Sequence, residues 1–169
     1  MTELAARGPT HGHPVSELFA TESGALLRYF LRRTEIREDA ADLVGDTALA
    51  LWRRADDLPG DPERARMWLY GIARHTLSTH RRGAIRRSAL ADRLRDELAA
   101  SPAFEVRDAA LDEVRDAVRG LRRRDQEVVL LVHWEGFTVT QAAAILGIRT
   151  GTAQMRYSRA RARLRAALG

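Results

Sequence analysis

The chain has 169 residues, of which 45% are hydrophobic and 30% charged, so it is long enough for one folded domain or two small ones and is not a disordered segment. All 28 basic residues are arginine, and 23 residues are acidic, which gives a formal net charge of +5 and points to a polyanionic partner. The absence of cysteine excludes disulfides, thiolate nucleophiles and Cys-ligated metal centres.

The first half of the chain carries three stretches of helical periodicity and no strand-like alternation. Apolar residues recur at three- and four-residue spacing over 15–30 and over 36–52. A third helix is predicted to begin at Asp61 and Pro62, an N-cap followed by a proline in the first turn, and to end near Gly83. Trp52 and Trp68 lie in the apolar stripes of these helices, so we expect both in the core.

The second half shows a helix-turn-helix pattern after two further predicted helices. Thr138 and Gln141 have the spacing of a capping box, which predicts the start of a short helix. Gly147 stands where a helix ends in a left-handed residue, and Thr150 can cap a last helix that runs to about Leu168. We therefore expect an all-α protein of two small helical domains joined by a linker, the C-terminal one a helix-turn-helix.

The domain boundaries follow from this pattern. We predict a flexible N-terminal tail over 1–14, a first domain over 15–83 and a second domain over 105–169. Residues 84–104, rich in alanine and arginine with weaker periodicity, are predicted to be an interdomain linker that is partly helical.

The positive charge is concentrated at the end of the chain. Acidic residues and arginines are equal in number over 16–83 and again over 105–125, whereas six arginines and no acidic residue follow Glu135. A helix with one apolar and one cationic face can place its first turns against base edges in the major groove while its arginines contact phosphates. Any antiparallel helix pair can produce the bare pattern, but the localised charge favours DNA binding.

Together, the motifs of both halves resemble the small extracytoplasmic-function (ECF) group of bacterial RNA polymerase sigma factors, in the sigma-70 family. The similarity covers about 15–168, and its motifs stand in the family's order and at its spacing. They are DAADLVGD (39–46) with LALWR (49–53), RMWLYGIARH (66–75), LRRRDQEVVLL (121–131) with AAILG (143–147), and GTA (151–153) with SRARARL (158–164).

The resemblance implies that 15–83 is sigma region 2, which binds the clamp of the largest polymerase subunit and the single-stranded minus-10 element. Core polymerase contacts then fall on Asp42, Leu43, Asp46, Leu49, Trp52 and Arg53. Charged groups one to three turns apart on a helix can pair with a partner helix. Without the resemblance, a solvated polar face is the simpler interpretation.

The minus-10 contacts that the resemblance implies lie around the third predicted helix. They are Leu58, Arg66, Arg74, His75, Thr79, Arg81 and Arg82. Strand separation requires cations along the backbone and a pocket for an extruded base, and this segment offers side chains for both. The plainer alternatives are a surface histidine at position 75 and arginines at 81 and 82 that interact with a helix C-terminus.

The second domain is implied to be sigma region 4, whose last helix reads the minus-35 element. The residues concerned are Arg149, Thr152, Gln154, Met155, Arg156, Ser158 and Arg159. Arg159 can take a guanine edge in two hydrogen bonds, and Gln154 an adenine. Arg149, Thr152 and Arg156 suit phosphates, which helix N-termini and guanidinium groups both attract.

Two other classes of protein fit the sequence less well. A one-component or response-type transcriptional regulator shares the C-terminal helix-turn-helix, but it predicts an N-terminal domain of alternating strands and helices, which the pattern lacks. An enzyme predicts a nucleophile with a base, a phosphate-binding glycine loop or paired carboxylates, and the five histidines show no metal-ligand spacing.

We therefore expect a sigma factor that binds core RNA polymerase and directs promoter recognition and transcription initiation. We expect no catalytic activity, no cofactor, no metal and no small-molecule substrate. The resemblance implies core RNA polymerase, promoter DNA and an anti-sigma factor as partners. No apolar run approaches the length of a membrane span and the first 14 residues lack a signal-peptide pattern, so a cytoplasmic location is expected.

Overall fold

The computed structural model describes residues 13–91 and 109–169, and within these ranges all regular structure is helical. The helices are α1 (Pro14–Leu31), α2 (Arg37–Arg53), a short 3-10 helix (Ala55–Asp57), α3 (Pro62–Ala91), α4 (Ala109–Arg119), α5 (Arg123–His133), α6 (Val139–Leu146) and α7 (Thr150–Leu168). The all-α prediction is confirmed. The chain forms two compact units that divide between Leu77 and Ser78. Most of the predicted tail, and residues 92–104 of the predicted linker, lie outside the described residues.

The core of the first unit is built from the inner faces of α1, α2 and α3. The side chains of Leu26, Leu43, Leu51 and Leu69 are fully buried there. Tyr29 and Tyr70 are buried too, and their rings meet edge to face with centroids 5.4 Å apart. A buried hydroxyl also lies in this core: Thr47 Oγ1 donates to Leu43 O at 2.7 Å, so the threonine is satisfied within its own helix.

Helix α3 begins as the sequence predicts but runs further. Asp61 Oδ1 accepts a hydrogen bond from the Arg64 N–H at 2.8 Å, which is an N-cap, and Pro62 follows in the first turn. The predicted end near Gly83 is wrong, because the helix continues to Ala91. A single glycine costs a helix only about 1 kcal/mol relative to alanine, which is too little to end one that continues into residues that favour helix.

In the second unit α7 packs against α4, α5 and α6. Leu121, Val129 and Ala160 form a buried cluster that Tyr157 and Leu164 cover. The packed side of α7 ends at Leu164, because Leu168 is 41% exposed.

The helix-turn-helix is confirmed in detail except at one cap. The Gln141 N–H donates to Thr138 Oγ1 at 3.2 Å, and the Thr138 N–H donates to Gln141 Oε1 at 2.8 Å, which completes the capping box before α6. Gly147 ends α6 in the left-handed region with φ 63°. The prediction that Thr150 caps α7 is wrong: Arg149 is the N-cap, with no side-chain cap bond, and Thr150 is the first helical residue.

Candidate polymerase and nucleic-acid interfaces

The outer face of α2 carries most of the residues expected to contact core polymerase. Asp42, Asp46 and Arg53 are exposed, and between them Leu49 is 56% exposed. These four side chains follow the three- and four-residue spacing of one helix face. We call Asp42, Asp46, Leu49, Trp52 and Arg53 the α2 face. It combines charge with apolar area, as a protein interface does.

Two residues of the set expected to contact core polymerase have a burial that the sequence did not predict. Trp52, which the sequence placed in the core, is 48% exposed, and its ring meets that of His13 with centroids 5.0 Å apart. The inner stripe of α2 is occupied by Leu43, Thr47 and Leu51, and Trp52 lies about 100° around the helix from Leu51. Leu43 is fully buried, so its side chain has no surface for a partner and instead holds α2 in place.

The second half of α3 presents part of the set expected for minus-10 DNA. Arg74 and His75 are exposed. One and two turns further along the helix, Thr79 and Arg82 are exposed, and Arg82 Nη2 donates to Thr79 Oγ1 at 3.1 Å. Arg81 is half-buried.

Like Arg81, whose Nη1 lies 4.0 Å from Glu127 Oε1, Arg66 is half-buried beside an acidic residue. Its Nε lies 3.1 Å from Glu22 Oε1 on α1, and its guanidinium carbon lies 5.1 Å from the centre of the Tyr70 ring. The Tyr70 hydroxyl lies 3.4 Å from the other oxygen of Glu22. The Arg66 side chain therefore joins α1 to α3, and this contact competes with the predicted role at DNA. Leu58 follows the 3-10 helix in extended backbone and is half-buried.

The outer face of α7 brings the predicted base-reading residues together. Gln154, Met155, Ser158 and Arg159 are exposed on adjacent positions of one helix face, with Met155 at 57%. Ala153 and Ala160 are fully buried on the opposite face. The three residues expected at phosphates lie towards the start of the helix: Arg149 is exposed, and Thr152 and Arg156 are half-buried.

Two contacts between α5 and α7 were not identified from the sequence. Asp125 Oδ2, in the first turn of α5, lies 4.0 Å from Arg159 Nη1. Tyr157 Oη and His133 Nε2 are hydrogen-bonded at 2.9 Å, and the two rings stack with centroids 5.7 Å apart. Both contacts join α5 to α7 across more than twenty residues of sequence. No local sequence pattern predicts such pairs. The one signal at Asp125 is that this acidic residue directly follows three arginines.

Two kinds of site are absent from the described residues. Over 13–91 and 109–169, acidic residues and histidines form no group of three or more that could hold a metal ion. None of the helices in these ranges is long and apolar enough to cross a membrane.

The fold and these surfaces define a DNA-binding protein whose second unit is a helix-turn-helix. Comparison with known proteins gives its family. The model for sigma-70 region 2 matches residues 18–88, and the model for sigma-70 region 4 matches residues 111–164.

Relatives that match most of the chain are sigma factors as well. The RNA polymerase sigma factor CnrH of Cupriavidus metallidurans is 32% identical over 98% of this chain and 92% of its own. The ECF RNA polymerase sigma factor SigL of Mycobacterium tuberculosis is 29% identical over 82% of this chain and 80% of its own. The solved structure of the sigma factor RpoE in complex with the anti-sigma factor NepR, from Bartonella quintana, matches with a TM-score of 0.72 and 27% identity over 90% of this chain and 95% of that one.

The chain belongs to the sigma-70 family of RNA polymerase sigma factors, in its ECF group. It binds core RNA polymerase and directs promoter recognition and transcription initiation. Members of this family regulate transcription and are not enzymes.

Proposed function

We propose a division of this activity between the two helical domains. Residues 15–83 act as sigma region 2, which docks on core polymerase and holds the minus-10 element. Residues 105–169 act as sigma region 4, which reads the minus-35 element, and residues 84–104 link the two. The observation that carries the proposal is the outer face of α7, where four candidate base-reading side chains are exposed together above a buried alanine stripe.

For the minus-35 element, Arg159 is the side chain with the greatest power to discriminate. Its guanidinium can donate two parallel hydrogen bonds to the O6 and N7 of a guanine, a contact worth about 1–3 kcal/mol of discrimination. Gln154 can pair in the same way with an adenine, and Met155 offers an exposed apolar surface. Arg149, Thr152 and Arg156 would hold phosphates and set the register of the helix.

The test of this part uses Arg159→Ala in the full chain bound to core polymerase. We expect weaker promoter binding by about 1–3 kcal/mol and a relaxed preference at one base pair. Arg165→Ala, an exposed arginine in the last turn of α7, is the matched control and should leave every base preference intact. If Arg159→Ala lowers affinity equally on all sequences, Arg159 contacts phosphate instead.

For core polymerase, the α2 face supplies apolar area framed by two carboxylates and an arginine. Leu49→Asp places a charge at the centre of this face, so we expect a loss of core binding of at least about tenfold, with folding unchanged because the side chain is exposed. Leu27→Asp is the matched control, since Leu27 is a 38% exposed leucine on α1 of the same unit. Equal losses for both variants, or none for Leu49→Asp, would contradict the assignment.

For the minus-10 element, we propose that Arg74, His75, Thr79, Arg81 and Arg82 lie along the single strand. We place Arg66 outside this set because its Nε lies 3.1 Å from Glu22 Oε1, whereas Arg81 lies 4.0 Å from Glu127 Oε1 and is held less closely. His75→Ala should change the preference for one minus-10 base in a transcription assay, while Arg74→Ala should weaken binding on all sequences. Unchanged preferences with His75→Ala would show that it is a surface histidine only.

We also infer an anti-sigma partner, no catalytic activity and a cytoplasmic site of action beside RNA polymerase. The support for the partner is that the related RpoE structure is a complex with the anti-sigma factor NepR. Candidates are the proteins encoded by genes next to the gene for this chain. One that binds the chain and competes with core polymerase for it would support the anti-sigma partner. Failure of all such candidates to compete would contradict it.

A further inference from the structure

Asp125 is one of two buried acidic residues described in the second unit, the other being Glu135. The residue is 2% exposed, although it stands in the first turn of α5 directly after three arginines. Its Oδ2 atom is buried and forms no hydrogen bond within the part of the chain that the structure describes. A buried carboxylate requires a nearby positive charge or hydrogen bonds to offset its lost hydration.

The guanidinium of Arg159 meets this requirement. Arg159 Nη1 lies 4.0 Å from Asp125 Oδ2, which is within the range of an ion pair but beyond that of a hydrogen bond. The Arg159 side chain is 41% exposed, whereas that of Asp125 is 3% exposed. One end of the guanidinium is therefore attracted to the interior, while a large part of the group remains open to a ligand.

We propose that Asp125 is a positioning residue that holds Arg159 in the orientation in which it reads the minus-35 element. This inference rests on the proposed function of α7. A guanine contact with two hydrogen bonds requires a fixed guanidinium plane, because the donors must meet O6 and N7 together. An arginine already restrained by Asp125 loses less conformational freedom when DNA binds.

A purely structural role for Asp125 predicts something different. A carboxylate in the first turn of α5 interacts favourably with the helix dipole, and its loss would lower stability. Such a loss would weaken binding to every promoter alike, with no effect on the preference at any one base pair. The base preference therefore separates positioning from support.

The experiment measures DNA binding by the full chain on core polymerase. A minus-35 duplex is first selected from random sequence by the wild-type holoenzyme, and single-base variants of that duplex are then compared by fluorescence anisotropy. The proteins are Asp125→Asn, Arg159→Ala, the double variant and Asp116→Asn. The last is a charge-matched control, since Asp116 is a 74% exposed acid on α4 of the same unit.

We expect Arg159→Ala to reduce discrimination at one base pair by about tenfold or more. Asp125→Asn should reduce discrimination at that same base pair by about threefold or more and leave the other positions unchanged. The double variant should match Arg159→Ala alone, because Asp125 acts through Arg159. Asp116→Asn should leave discrimination at every position unchanged.

The outcomes separate the inference from the proposal beneath it. If Arg159→Ala leaves all base preferences intact, the proposed reading role of Arg159 fails. If Arg159→Ala relaxes one position but Asp125→Asn does not, or if their effects add, the positioning role is overturned and the reading role stands. Should thermal unfolding show that Asp125→Asn disrupts the second unit, Asp125→Glu takes its place: a change confined to the Arg159 position supports positioning, and unchanged discrimination overturns it.

Discussion

Arg66 and Arg54 provide a matched test of how burial changes the strength of an ion pair. In each, the Nε atom lies 3.1 Å from a carboxylate oxygen, of Glu22 for Arg66 and of Asp57 for Arg54. The exposed fractions differ: 29% and 14% for the Arg66 pair, against 56% and 59% for the Arg54 pair. We therefore expect Arg66→Met, which keeps the length of the aliphatic chain, to destabilise the first unit more than Arg54→Met.

The magnitudes follow from the surroundings. Hydrogen bonds to charged groups contribute about 1.5–3 kcal/mol where they are partly buried, whereas exposed ion pairs contribute about 0.2–1 kcal/mol. Arg66 also lies over the Tyr70 ring at 5.1 Å, which adds about 0.5 kcal/mol. We expect Arg66→Met to lower the free energy of unfolding by about 2–3 kcal/mol, and Arg54→Met by less than about 0.5 kcal/mol.

The assay is urea unfolding followed by tryptophan fluorescence. All variants carry Trp134→Phe, so that the remaining emission comes from Trp52 and Trp68 of the first unit. Trp134 is 41% exposed, and its replacement should disturb the second unit little. Combining Arg66→Met with Glu22→Gln completes a double-mutant cycle that isolates the pairwise energy.

Equal destabilisation by Arg66→Met and Arg54→Met would refute the reasoning, since burial would then have no effect on the strength of the ion pair. A zero coupling energy between Glu22 and Arg66 would refute it as well. If Arg66→Met proved neutral for stability but weakened binding to minus-10 DNA, Arg66 would return to the set of DNA contacts.

Three further predictions concern the second unit. Thr138→Ala should lower its free energy of unfolding by about 1 kcal/mol, because the capping box before α6 is lost; thermal unfolding followed by circular dichroism measures this, and an unchanged midpoint would contradict it. Gly147→Ala should lower the same quantity by about 1–2 kcal/mol, because φ is 63° there, whereas Gly151→Ala inside α7 should be neutral or stabilising; the reverse order would contradict this. Arg163→Ala should reduce the slope of log affinity for promoter DNA against log salt by about 1 without changing base preference, if Arg163 contacts phosphate; an unchanged slope would assign it to solvent.

The starts of α3 and α6 and the turn after α6 were predictable because their signals are local. Asp61 with Pro62, Thr138 with Gln141, and the left-handed Gly147 all act within one turn of helix, so spacing along the sequence is enough to identify them. The end of α3 was not predictable from Gly83, because a small propensity penalty is outweighed by its neighbours.

The sequence predicts which positions form the candidate sites, but not the burial or the contacts of their side chains. Trp52 stands next to Leu51 in an apolar stripe, yet one helical step of about 100° takes its ring from the core to the surface. The acidic partners of Arg66 and Arg159 are distant in sequence, at Glu22 and Asp125, so only the fold shows which acidic residue each arginine meets.

Helix α7 has a packed side, marked by two buried alanines, and an exposed side that carries the candidate base-reading residues. Ala153 and Ala160 fix the distance between α7 and the helices beneath it, and neither is exposed. Gln154, Met155 and Ser158 stand on the opposite, exposed side, whereas Arg159 also lies beside Asp125 of α5. A sigma factor built in this way can acquire a new promoter preference by substitutions at positions 154, 155 and 158, while the helix packing and the Asp125–Arg159 pair stay the same.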